Sequence, residues 1–127
     1  MEFTVLDKSK YLKGLLIVSK KDQTLTQQER ELISEAGNRF GFAKEFYEEA
    51  LNNLLRNQHI KDEPIIFSDQ SIARLFIQDG LKLSFIDAEN PVEELDWLKG
   101  IALANELGEE WFYNSLKTFK DSLESIN

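Results

Sequence analysis

The 127-residue sequence contains no cysteine, one histidine and two prolines. Without thiols it can form no disulfide, no thiolate zinc site and no cysteine nucleophile. His59 stands alone, so neither a common zinc site nor a Ser-His-Asp triad can be assembled around it. The six glycines, at positions 14, 37, 41, 80, 100 and 108, are scattered, and no Gly-rich phosphate loop exists. Pro64 and Pro91 are isolated, and no Pro-, Gly- or Ser-rich stretch marks a flexible linker. Basic charge is scarce: 15 Lys and Arg face 23 Asp and Glu, a net charge of −8. That balance argues against nucleic acid as a main partner and against docking on anionic membranes. The longest early apolar run, Leu15-Leu16-Ile17-Val18, is far too short to cross a bilayer. The opening Met1-Glu2-Phe3-Thr4-Val5-Leu6-Asp7 lacks the basic start of a secretory signal. The expectation is a cytoplasmic protein that does not insert in a membrane.

What is present is enough apolar material for one core. Hydrophobic residues make up 42% of the chain and include nine Phe, so a single folded domain over 1–127 is expected. The spacing is helical throughout. Leu12, Leu15, Leu16 and Ser19 share a stripe in a first helix that Asp7 or Ser9 would cap and that would run to about Lys21. Thr26-Gln27-Gln28-Glu29 is a capping box, followed by Leu32, Ile33, Ala36 and Phe40 on one face and Gly41 as a left-handed stop. A third helix would turn Phe46, Tyr47, Ala50, Leu51, Leu54 and Leu55 inward. Lys61-Asp62-Glu63-Pro64 reads as a loop, with Ile65-Ile66-Phe67 folding back on the core. Ser68 or Asp69 opens a fourth helix, and Asn90-Pro91-Val92-Glu93 a fifth that stops at Gly108. Phe112, Leu116, Phe119 and Leu123 mark a sixth.

The two halves resemble each other. Gly41 and Gly108 both follow a helical stripe, 67 positions apart. At that interval Phe40 pairs with Leu107, Gly37 with Ala104, Ala36 with Leu103, Glu29 with Asp96 and Phe46 with Tyr113. The pattern predicts an all-α fold of six or so helices in two pseudo-repeated three-helix halves, about 9–58 and 68–124, sharing one core.

The run from Leu15 to Glu29, with Asp22 and the Thr26 capping box, then Ile33, Ala36, Phe40 and Gly41, resembles the tellurite-resistance TerB-like family. That family carries an acidic loop, a Ser or Thr, a Glu three residues on, and an amphipathic helix ending in Leu-Gly. A similar stretch recurs at Asp87-Ala88-Glu89-Asn90-Pro91-Val92, Asp96, Leu103-Ala104 and Leu107-Gly108. The first loop departs from the family in having Gln23 where Gly is usual, and the second has Glu89 where Asp is usual. The resemblance covers about residues 10–117. It implies an all-helical, non-catalytic module linked to tellurite and other chemical stress and associated with divalent metal.

Asp22, Glu29, Asp87, Glu89 and Asp96 are therefore the candidate metal ligands, and a hard divalent cation of the Ca²⁺ or Mg²⁺ type takes such oxygens. The same carboxylates also read simply as helix-start caps. No EF-hand is present: a loop opening at Asp22 has Gln27 and Ile33 where Gly and Glu are needed. Trp97 and Trp111 are the candidate partner-binding residues, because Trp111-Phe112-Tyr113 cannot all point inward from one helix. The expected function is a non-enzymatic module acting through a protein partner. Two rivals remain open: a metal-dependent enzyme using the acidic loops, and a self-associating homodimer that buries Trp97 or Trp111.

Overall fold

The computed structural model describes residues 2–20, 26–45, 47–49, 52, 64–86 and 90–125. Among them the backbone is helical and contains no strand. The helices are α1 (Val5–Lys20), α2 (Gln27–Arg39), α3 (described at 44–45, 47–49 and 52), α4 (Gln70–Ser84), α5 (Val92–Ala104) and α6 (Glu109–Ser125). The expected third-helix core residues Phe46, Ala50, Leu51, Leu54 and Leu55 lie outside the described residues, as do His59 and the loop residues 61–63. No described helix is long and apolar enough to cross a membrane.

The helix starts follow local chemistry. Thr4 and Asp7 form a reciprocal cap on α1: Asp7 N–H donates to Thr4 Oγ1 and Thr4 N–H donates to Asp7 Oδ2, both at 3.0 Å. Asp7 is thus the third residue of the helix, not its cap. Thr26 and Glu29 close the expected box on α2. Asp69 caps α4 by accepting from Ser71 N–H at 2.7 Å. Helix α5 begins one residue later than expected. Pro91, at φ −80° and ψ 74°, forms an inverse γ-turn closed by Val92 N–H on the Asn90 carbonyl at 2.9 Å.

Helices α1 and α4 form the centre. From Tyr11 to Ser19 every residue of α1 except Lys13 is buried, which places that end of the helix inside the core. Helix α4 buries Ile72, Ala73, Phe76, Ile77 and Leu81 against it. Helix α2 packs on α1, α5 on α4, and α6 on both α5 and α4. The segment before α4 is pinned across the centre. Phe67 is buried, its N–H donates to Asn105 Oδ1 at 2.9 Å, and Asn105 Nδ2 donates to the Ile65 carbonyl at 2.7 Å. Ser68 donates from both its N–H and its hydroxyl to Asp7.

Helix boundaries in the two halves share one interval, and it is not 67. Val5 and Gln70, Gln27 and Val92, and 44 and Glu109 open helices 65 positions apart. The bonds that open and close them recur at that interval. Lys8 N–H to Thr4 matches Ala73 N–H to Asp69, Arg30 to Thr26 matches Leu95 to Pro91, and Tyr47 to Ala43 matches Phe112 to Gly108. Of the nine buried residues of α4, eight have buried counterparts in α1. The pairing of Gly41 with Gly108 is therefore corrected. Helix α2 ends in a Schellman motif with Gly41 at φ 79°, closed by Phe42 N–H on the Gly37 carbonyl. Helix α5 ends in the same motif, closed by Leu107 N–H on the Ala102 carbonyl, but the left-handed residue is Glu106 at φ 61°. Gly108, at φ 89°, instead precedes α6.

Candidate functional site

The expected ligands are not brought together among the described residues. Asp22, Asp87 and Glu89 lie outside them. Glu29 is 1% exposed, and its Oε1 accepts from both the N–H and the hydroxyl of Thr26 at 3.1 Å. Asp96 is exposed on α5. No group of three or more His, Cys, Asp or Glu able to hold a metal occurs among the described residues. At the 65-residue interval of the helix starts, Glu29 falls with Glu94 and not with Asp96.

The aromatic expectation needs correcting at Trp97. The residue is 8% exposed and its ring meets Phe76 edge-on at 6.3 Å, so it belongs to the core rather than to an exposed surface. Trp111 is half-buried against the core and Phe112 is buried. The ring left outside is Tyr113, at 48% exposure, whose hydroxyl lies 3.0 Å from Lys99 Nζ. Lys99 also pairs with Glu109 at 3.1 Å.

A concave surface lies between α2 and α3, a groove of about 610 Å³. Helix α2 builds it by burying one face, with Ile33, Ala36 and Gly37, and turning Gln27, Arg30, Glu31, Ser34, Glu35 and Asn38 the other way. Helix α3 adds Glu48 and Asn52. Tyr47 joins the two helices: it is buried, and its hydroxyl donates to Asn38 Oδ1 at 3.2 Å. Gln27 Nε2 donates to Glu31 at 3.4 Å, and Glu48 faces Lys44 at 3.9 Å. These side chains are hydrated, so each single ion pair contributes little, and the groove can act only by presenting many polar groups together. It holds no histidine or thiol. Its described lining offers three carboxylates, one guanidinium and uncharged polar groups, a set that can hold a polar partner through many hydrogen bonds.

Two buried polar clusters were missed in the sequence. Burial raises the Asp7 carboxyl, but bonds from the Ser68 hydroxyl and N–H and from Thr4 outweigh it and bring the group down to about 2. The signal was Thr4-x-x-Asp7, the same spacing as Thr26-x-x-Glu29. Asp79, 4% exposed within α4, accepts from the Tyr11 hydroxyl at 2.5 Å and from Arg39 at 2.8 Å. Burial and then the Asp79 charge push the Tyr11 hydroxyl well above its ordinary range. Here the signal was one acid on the apolar face Ile72, Phe76, Leu83. Comparison with protein-family models, with curated proteins and with solved structures finds no match.

Proposed function

We propose that the chain is a non-catalytic, TerB-like helical module that serves a tellurite or other chemical-stress response by holding a protein partner in the α2–α3 groove. The observation that carries this reading is the groove itself, a concave surface lined by eight polar side chains among the described residues. The TerB-like part rests on the first half of the chain. There the Thr26–Glu29 box and the Gly41 stop are formed as the resemblance implies. The finer reading of the fold belongs with it: two three-helix units share one core. The common 65-residue interval of helix starts, caps and buried positions supports that reading. The cation is assigned to Asp22, Asp87, Glu89 and Asp96, with Glu29 left out because Thr26 already holds its Oε1.

Expression in a tellurite-sensitive bacterium tests the function. The wild-type chain should raise tolerance, and an Arg30→Glu/Glu35→Lys variant that melts like the wild type should lose that gain. No gain with the wild type, or full gain with the variant, overturns the proposal.

A further inference from the structure

Contacts between the halves exchange partners under the 65-residue register. Tyr11 contacts Asp79. Their counterparts are Phe76 and Gly14, and these also meet: a Cβ built on Gly14 would lie 2.5 Å from Phe76 Cζ. Tyr11 and Phe76, counterparts of each other, touch edge-to-face at 5.2 Å. A set of contacts that maps onto itself when the partners are exchanged is the mark of a two-fold interface, and a residue touching its own counterpart lies at the axis.

The two corners around that axis are chemically opposite. In one, the Asp79 carboxylate is met by the Tyr11 hydroxyl, by Arg39 at 2.8 Å and by Lys82 at 3.9 Å. In the other, the residues at the counterpart positions are Gly14, Phe76, Ala104 and Ile17, none of which carries a polar side chain. Both Tyr11 and Phe76 are fully buried, so neither corner relies on water at its ring.

We propose that the Tyr11–Asp79–Arg39 corner is a pairing key that restricts the first half to packing on the second and excludes like-with-like packing between copies. The inference rests on the two-unit reading. First-on-first packing would set Tyr11 against Gly14, with a buried hydroxyl lacking its acceptor. Second-on-second packing would press the Asp79 carboxylate onto Phe76, with Ala104 where Arg39 should stand. A buried unpaired hydroxyl is costly and a buried unpaired carboxylate far more so. Discrimination by penalising the wrong pairing is how related surfaces stay specific.

The test uses the full chain. Tyr11→Phe/Asp79→Gly gives both corners the Phe–Gly form and removes the penalty. Sedimentation should find the wild type monomeric and the variant dimerising with concentration, with at least a tenfold larger dimer fraction at equal loading. Leu98→Ala, which weakens the α4–α5 contact at Gly80 and leaves Tyr11, Asp79 and Arg39 in place, should stay monomeric. A folded Tyr11→Phe/Asp79→Gly chain that remains monomeric overturns the key and leaves the two-unit reading standing. Tyr11→Phe alone, which removes the hydroxyl that first-on-first packing would leave without an acceptor, should raise the dimer fraction above that of the wild type; it decides the question should the double variant not fold, and a dimer fraction equal to the wild type's overturns the key.

Discussion

Asp7 ties three parts of the chain together, and its removal has a calculable cost. Its carboxylate accepts from Thr4 N–H, from Ser68 N–H and from the Ser68 hydroxyl, and the residue is 2% exposed. In the unfolded chain the group ionises near its ordinary value of 3.8, and in the fold near 2. The folded value is depressed, so the stabilisation is complete above about pH 5 and is lost as pH falls towards 2. At about 1.4 kcal/mol per pH unit of difference, the ionised group contributes about 2 kcal/mol at neutral pH. Asp7→Asn keeps one acceptor oxygen but places an NH₂ where Ser68 or Thr4 donates, so about 1–3 kcal/mol should be lost at pH 7. Urea unfolding followed by circular dichroism, at pH 7 and at steps down to pH 2, measures both effects. The wild type should lose about 2 kcal/mol more than Asp7→Asn between pH 5 and pH 2. Equal acid slopes in the two proteins would refute the reasoning, because other carboxylates titrate alike in both.

Three further outcomes are expected. Glu106→Gly should stabilise the protein by about 1 kcal/mol in thermal unfolding, since Glu106 holds φ 61° at the Schellman position where glycine carries no strain; a loss of stability would contradict the register of the two halves. Asn105→Ala removes bonds to Phe67 N–H and to the Ile65 and Ile101 carbonyls, and should cost about 2–4 kcal/mol with faster amide exchange at residues 65–68. Calorimetric titration with Ca²⁺, Mg²⁺, Mn²⁺ and Zn²⁺ should show heat with at least one ion and less heat in Asp22→Asn and Asp96→Asn; silence with all four ends the cation proposal.

Features written within one turn of helix were legible in the sequence. The Thr26–Glu29 box and the opening of α4 at Ser68 or Asp69 depend on neighbours two or three residues away; the box formed, and of the two openings Asp69 is the cap. Long-range features were not. Gly108 was taken for the end of α5 because glycine favours the left-handed region, yet the helix stops where its carbonyls are recaptured, and Glu106 does that two residues earlier. That two-residue slip moved the apparent repeat from 65 to 67 and paired Glu29 with the exposed Asp96. Asp79 shows in sequence as one acid on an apolar helix face, but its hydroxyl and guanidinium partners, 68 and 40 residues away, do not show. The groove was invisible for a related reason: it is made of polar residues on two helices that only the fold brings side by side.

The register also separates frame from function. On the proposed two-unit reading, positions that agree between the halves, such as Ile33 and Leu98 or Tyr47 and Phe112, are the buried ones. The groove positions diverge. Ser34, Glu48 and Lys44 correspond to Lys99, Tyr113 and Glu109, and in the second half Lys99 Nζ spans from α5 to α6, bonding Tyr113 at 3.0 Å and Glu109 at 3.1 Å and lying 5.2 Å from the Tyr113 ring centre. The first half lacks that bridge, and its groove stands open. Transplanting the bridge as Ser34→Lys/Lys44→Glu/Glu48→Tyr should therefore fill the groove without touching the core. Because all three positions are outside the buried set, stability should change by less than about 1 kcal/mol. The tolerance conferred on a tellurite-sensitive host should fall to that of the empty vector. A stable variant that confers full tolerance would show that the open groove is not where the partner is held.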